Sequence, residues 1–425
     1  MIMREESGRL TLVLFIILGG LLGGLAAALF RYLIAGVQFL FYGVTSSRGF
    51  FYVMDGLPWY QTFFSVLLGG VLVGLVLYFT QIDQIRGHGM SRLVLVMQDK
   101  LVLAKNLAPF KALASAFTIG SGASAGKLEP IVMIGVSFTQ EVLDVFAPSQ
   151  ENKKILLLSG GAGGLAGLFM TPLAATFFCY EVLLQRKSQK NFFLLLLSSF
   201  VGAGSAYVLL GFPEPFILLP LFEAGSFYGL FGYILLGVGL GVIGLMYTHS
   251  VYWFERLFRK IDSVKYVKPV IGAFFVGLIV IWLPEIMGSG NFVLSNSLVE
   301  SLTITFLALL IVGKTIATSI TIGSGGSGGL TGPALLVGGL SGLLIAQVVN
   351  LFVPFIELNV ASYGIIGIAG LFAAAGHAPI TAVFFVFEIT RDLNVLLPLV
   401  LVCVVSWKVA SLVDKDSMYT KIIEN

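Results

Sequence analysis

Charge is what this chain has least of. Of its 425 residues, 11% are Asp, Glu, Lys or Arg, against about 25% in soluble globular domains. With 57% hydrophobic residues and a mean hydropathy of +0.98, the deficit makes lipid the expected solvent and the bilayer the expected partner. A net charge of +3 is too small to imply nucleic acid. The two cysteines, Cys179 and Cys403, lie in apolar runs without disulfide or zinc spacing. The three histidines, His88, His249 and His377, are too scattered for a metal cluster. H-E-x-x-H and G-x-S-x-G are missing, as is any cluster of Asp or His in the apolar runs. The reading is therefore not an enzyme, with no catalytic residue, no metal and no organic cofactor. "GSGGSG" at 323–328 fits G-x-G-x-x-G literally, but no acidic residue follows until Glu357. A dinucleotide site needs one about 20 positions on.

Long uncharged runs are what the chain has instead: 10–30, 191–213, 224–254, 315–356 and 358–387. Each can span a bilayer, for which roughly 20 residues suffice. The first run has no small-residue cleavage site and reads as a retained helix.

An internal repeat organises these runs. "TIGSGASAGKLEP" at 118–130 returns 203 residues later as "TIGSGGSGGLTGP" at 321–333. The same offset aligns Lys111 with Lys314, Gly135 with Gly338, and "GLAG" (164–167) with "GIAG" (367–370). "TPLAATFFCYE" ending at Glu181 resembles "APITAVFFVFE" ending at Glu388, and "GHG" at 87–89 faces "GSG" at 288–290. Two related halves follow, 1–213 and 214–425. Residues 81–111 carry Arg86, Arg92, Lys100, Lys105 and Lys111, while their partners 284–314 keep only Lys314. Residues 253–268 carry Arg256, Arg259, Lys260, Lys265 and Lys268, while 50–65 carry no basic residue. Basic loops stay cytoplasmic, so loops basic in one half only place the halves upside down relative to each other. The expected fold is an all-α polytopic membrane protein of two inverted-topology repeats, an arrangement that puts a transport site near the midplane.

Glycine runs are poor helix interiors and proline suits a first turn, so each glycine phrase breaks a helix that restarts near Pro130 or Pro333. Irregular backbone at membrane depth survives where it lines an enclosed or watery cavity. A helix starting there aims unsatisfied N–H groups and partial positive charge into it, enough to hold an anion without a buried cation. The residues just before each proline are the candidates for that contact. Gly120, Ser121, Gly122, Gly323, Ser324 and Gly325 read instead as small residues for close helix packing.

These motifs resemble the CLC family of chloride channels and chloride/proton antiporters. "GSGASAGKLEP" is similar to the family's G-S-G-x-x-x-G-R-E-G-P, "GGLTGP" (328–333) to its G-G-x-F-x-P, and "GHGMS" (87–91) to its G-S-G-I-P. "APITAVFFVFEIT" and the tyrosine of "DSMYTK", Tyr419, also fit. The resemblance implies tilted and broken helices and a homodimer with one pore per subunit. It implies bound chloride held by backbone N–H at Leu330 and Thr331, by the Tyr419 hydroxyl and by the side chain at position 88. An outer site would use Lys127, Leu128 and Glu129. It further implies a bacterial inner-membrane protein with both termini cytoplasmic and no cytoplasmic nucleotide-binding domains.

The departures tilt the expected activity. The family's gating glutamate falls on Leu128, and its inner proton-relaying glutamate on Val182. Neither side chain can carry a proton. An uncoupled passive chloride channel is therefore expected. The alternative is a proton-coupled chloride or fluoride antiporter with Glu129 as a relocated gate. One position at a helix start turns a side chain by about 100°. Glu129 is thus expected to miss the gate's place and to cap its helix or face the vestibule. His88 replaces the family's serine and either donates to the anion, titrates as a gate, or packs. Thr331 replaces a phenylalanine and is expected to widen the path. Lys127 keeps the charge of the family's arginine. Lys111 and Lys314 either anchor the cytoplasmic side or attract anions, and Glu181 and Glu388 read as helix-end hydrogen-bond partners.

Overall fold

The computed structural model describes residues 2–54, 56–146, 150–184, 187–211, 220, 222, 229–353 and 357–421. The boundary expected between 213 and 214 lies outside these residues. Among them run seventeen α-helices. The first half holds α1 (Ile2–Tyr42), α2 (Ser47–Met54), α3 (Trp59–Thr80), α4 (Met90–Met97), α5 (Leu107–Gly120), α6 (Leu128–Phe146), α7 (Gln150–Phe169), α8 (Pro172–Phe178) and α9 (Gln189–Leu210). The second holds α10 (Gly229–Lys260), α11 (Lys268–Trp282), α12 (Asn291–Ser297), α13 (Ile304–Gly323), α14 (Thr331–Phe352), α15 (Val360–Gly376), α16 (Pro379–Thr390) and α17 (Leu396–Val413). Seven helices among the described residues are long and apolar enough to cross a membrane. The expected breaks are present: α5 stops at Gly120 and α6 starts at Leu128, while α13 stops at Gly323 and α14 starts at Thr331.

The twofold relation is visible in reciprocal contacts, where residue i meets j′ and i′ meets j. Gly126 N–H donates to Gly329 O at 2.7 Å, and Gly329 N–H donates back to Gly126 O at 2.8 Å. Ser115 Oγ lies 2.9 Å from Ser327 Oγ, and Ser124 Oγ lies 2.8 Å from Thr318 Oγ1. All of these positions are related by the offset of 203. The axis therefore passes between the two glycine phrases. Further out, α3 packs on α11 and α8 on α16.

The pair α8 and α16 shows the inversion directly. Glu388, near the end of α16, accepts from Leu173 N–H (2.8 Å) and Ala174 N–H (2.7 Å) at the start of α8. Glu181, just beyond α8, accepts from Ile380 N–H (3.2 Å), Thr381 N–H (2.8 Å) and Thr381 Oγ1 (2.7 Å) at the start of α16. Each glutamate caps the other half's helix, so the two helices run antiparallel, and an axis relating them turns one half upside down. Both carboxylates are the helix-end partners expected of them. The basic segments of the two halves consequently meet at one mouth, where Arg86, Arg92, Arg259, Lys265 and Lys268 line a common cavity.

Glycine is required where the breaks turn. Gly122 and Gly325 hold φ of 97° and 99°, a region costly for any residue with a Cβ. Of the six packing residues, Gly122 and Gly325 also shape turns, and Gly120 and Gly323 serve contact alone. A Cβ at Gly120 would fall 2.7 Å from Val37, and one at Gly323 would fall 2.8 Å from Glu255 N.

Lys111 and Lys314 do not reach the surface on the cytoplasmic side; each is bonded to main-chain carbonyls. Both are fully buried. Lys111 Nζ donates to Ile85 O (2.9 Å) and Gly87 O (2.8 Å); Lys314 Nζ donates to Ile286 O (2.7 Å) and Gly288 O (2.6 Å). Each lysine clamps the 3₁₀ turn and the following glycine loop of its own half, whose carbonyls have no water to turn to. Replacing Lys314 by Met leaves two buried carbonyls unpaired, each costing about 1–3 kcal/mol. Thermal unfolding of Lys314→Met in detergent should show a clear loss of stability; an unchanged transition contradicts the clamp.

Candidate functional site

The site forms where α6 and α14 begin. The Gly126–Gly329 bridge holds the two chain breaks side by side. It brings the first turn of each helix within reach of one side chain. That side chain is Glu129. Its Oε1 accepts from Leu330 N–H at 2.9 Å, Thr331 N–H at 2.8 Å and Thr331 Oγ1 at 2.8 Å. Thr331 Oγ1 also lies 2.5 Å from the Tyr419 hydroxyl. The threonine has one hydroxyl proton and gives it to Glu129, so Tyr419 is the donor to Thr331. Tyr247, from α10, donates to Leu330 O at 2.7 Å and fixes the tilt of that peptide. Glu129, Leu330, Thr331 and Tyr419 are all fully buried.

The carboxylate leaves no room for a side chain opposite. A Cβ at Gly329 would fall 1.9 Å from Glu129 Oε2. Oε2 itself has no hydrogen-bond partner among the described residues.

Several expectations change here. The rotation between neighbouring positions does separate Leu128 from Glu129: Leu128 packs in the apolar core at 2% exposure. But the turn carries Glu129 onto the start of α14, to the backbone N–H pair expected to hold an anion, and not to a vestibule. Thr331 does not widen a path; its hydroxyl bridges Tyr419 and Glu129. Lys127 is apart from this cluster and lines a small cavity of about 30 Å³ with Ser289 and Asn291. Val182 sits in a π-helical turn, Cys179–Leu183, partly buried against the apolar core. It presents no ionisable group there.

His88 stands at the basic mouth, lining the cavity with Arg86 and Arg92. Its Nδ1 accepts from Met90 N–H at 3.2 Å, which closes the loop at the start of α4. Burial, then the neighbouring Lys111 and Arg92 cations, disfavour a charged ring. A ring whose protonated form is destabilised stays neutral through physiological pH. Both effects weigh against the titrating-gate reading, and the contact the ring makes is the one that closes the loop.

Tyr247 and the paired hydroxyls 115/327 and 124/318 were not singled out from sequence. Tyr247 is one tyrosine in an uncharged run. The serines and threonine could have been found, since the repeat converts one pair into the other: 115 is equivalent to 318 and 124 to 327.

Comparison with known proteins agrees with this geometry. Residues 69–411 match the family model described as voltage gated chloride channel, and the chain belongs to that family, the CLC family. The H(+)/Cl(-) exchange transporter ClcA of Vibrio campbellii is 27% identical over 372 residues, covering 84% of this chain and 79% of that one. A ClcB-like protein of Ralstonia nicotianae is 26% identical over 417 residues, covering 95% and 94%. Among solved structures, a slow cyanobacterial Cl⁻/H⁺ antiporter superposes with a TM-score of 0.84 at 24% identity, covering 96% of each chain. A CLC-type fluoride/proton antiporter does so at 0.79 and 23%, again over 96% of each. These structures share the fold. The chain is an integral membrane protein of an anion-transporting family.

Because His88 is held neutral, His88→Ala should leave the pH dependence of anion flux between pH 5 and 8 unchanged in midpoint. Flux from proteoliposomes across that range tests this; a displaced midpoint returns His88 to the role of sensor.

Proposed function

We propose that this chain moves chloride, or another small anion such as fluoride, by proton-coupled exchange, with Glu129 as the gate. The anion site is the N–H pair of Leu330 and Thr331 with the Tyr419 hydroxyl behind Thr331. The observation that carries the reading is that a carboxylate, itself an anion, already sits on that N–H pair. An incoming anion and Glu129 cannot both use it.

The three cross-half carboxylates differ in a way that fits this role. Glu181 and Glu388 engage both of their oxygens. Glu129 engages Oε1 and leaves Oε2 unpartnered. Protonating Oε2 neutralises the group without breaking its existing bonds, and a neutral acid accepts more weakly than a carboxylate. The anion then displaces it, and the proton rides on the vacated side chain. The Vibrio relative's name, an exchange transporter, points the same way. In this arrangement the basic mouth and both termini face the cytoplasm across a bacterial inner membrane, and the unit is a homodimer with one pathway per subunit. Lys127 marks the opposite mouth.

A passive channel is the second reading. Val182 favours it, because the side chain at the inner proton position is apolar and cannot itself receive a proton from Glu129.

Chloride-loaded proteoliposomes separate the readings. Exchange predicts proton uptake accompanying chloride efflux. Flux should fall with rising pH, approaching tenfold per unit, the limit for one proton. Glu129→Gln should keep chloride moving while losing proton uptake and pH dependence. Efflux without proton uptake in the unmodified protein supports the channel. Unchanged pH dependence in Glu129→Gln sinks the gate.

A further inference from the structure

The repeat supplies an internal control for the basic mouth. Arg86 lies over Gly325, where an added Cβ would fall 2.8 Å from its Nε. In the other half the equivalent glycine, Gly122, is covered by Met287, whose Cε would lie 2.2 Å from such a Cβ. The fold needs a long side chain at this place, and methionine suffices. Arg92 corresponds in the same way to Val293, and Lys268 to Ser65. These charges answer to something other than packing.

They converge on a cavity of about 500 Å³, far larger than the ~30 Å³ share of liquid volume that one water takes. Its two carboxylates are engaged: Lys265 pairs with Asp83 at 2.6 Å and Arg259 with Glu255 at 3.1 Å. Lys421 pairs with Asp414, which does not line the cavity. Arg86, Arg92 and Lys268 have no ion-pair partner among the described residues. Arg92 Nη1 donates to Asp83 O (2.6 Å) and Arg86 O (3.0 Å), and Lys268 Nζ to Phe258 O (2.9 Å). Arg86 Nε is buried with no acceptor. Two guanidinium forks and an ammonium around one open volume match phosphate oxygens better than a single halide.

We propose that this mouth binds a small multivalent phosphate group and that its occupant blocks anion passage from that side. The cavity wall includes the loop at Gly87–His88 and the end of α13 at Ile322–Gly323, which leads into the second chain break. An ion too large and too charged to go further would stop there. The blocking half of the idea rests on the proposed anion pathway; the binding half does not.

Tripolyphosphate is the probe. Calorimetry on the purified protein in neutral detergent should show saturable binding that chloride at equal ionic strength does not reproduce. Chloride efflux from phosphatidylcholine vesicles, each variant scaled to its own uninhibited rate, should be inhibited from the basic side only. Arg86→Met copies the packing of the other half, so the fold should tolerate it. Arg86→Met and Lys268→Gln should each weaken tripolyphosphate binding about fivefold, the effect of one cation near an anionic group. Adding phosphatidylglycerol separates the natural sources. If it weakens the inhibition, a lipid headgroup takes the site; if it does not, a soluble phosphate does. Absence of binding, or binding untouched by both substitutions, overturns the site. Binding without inhibition keeps the site and rejects its place on the pathway.

Discussion

A helix that begins inside a bilayer exposes N–H groups that no water satisfies, and much of this structure answers that one constraint. The starts of α8, α14 and α16 each receive a carboxylate from the other half of the chain: Glu388, Glu129 and Glu181. Carbonyls of the 3₁₀ turns and their glycine loops pose the mirror problem, and Lys111 and Lys314 answer it inside their own halves. Neither half could satisfy its own internal helix ends. Satisfying them across the twofold axis ties the halves together. The three carboxylates are thereby placed where they also act as cross-links.

Symmetry sets the frame, and its violations mark the proposed site. Gly126 and Gly329 pair as equals, and the two hydroxyl pairs beside them exchange under the repeat. Position 129 has no such equal, because its counterpart is Gly332. Had both halves carried glutamate, two carboxylates would crowd one axis and repel. A glycine on one side leaves the N–H pair of α14 open to a single acidic side chain from α6. Charge is just as one-sided at the mouths. Arg86 and Arg92 stand opposite Met287 and Val293, so the fold tolerates either chemistry and the arginines are a property of one face.

Much of this was legible in the sequence. The offset of 203, the uncharged runs and the one-sided basic loops lead to inverted halves with two broken helices. The halves differ in the three residues before each proline, 127–129 against 330–332, and the cross-half contact of Glu129 forms there. What a single chain pattern cannot carry is the partner across the axis. Rotation about α6 says how far Glu129 turns from Leu128, but the group it meets lies about 200 residues away and is placed by a glycine bridge. The lysines failed as expectations for a related reason. Their matched positions were visible, yet their acceptors are main-chain carbonyls, which leave no letter in a sequence. Tyr247 is silent in the same way, because it acts on the Leu330 peptide rather than on a side chain.

The tether of Glu129 bears on how any anion wins the site. A ligand carried on the same chain acts at a high effective concentration, on the order of millimolar even for flexible links, so a free anion at similar concentration gains little by mass action alone. Something must weaken the tethered competitor, and protonation is the change that does so without moving the backbone. Anion occupancy and proton occupancy of Glu129 are then linked, each favouring the other by the same factor. That linkage holds for a channel as for an exchanger. The two part at the following step, when the proton leaves. A proton returning to the side it came from only gates the anion, whereas one delivered past Val182 to the basic mouth is transported. With an apolar side chain at that position, delivery needs water, and a water file is held by polar walls rather than by a second carboxylate. The physical difference between the two activities thus comes down to whether the region between Tyr419 and the basic mouth is wet when Glu129 is neutral.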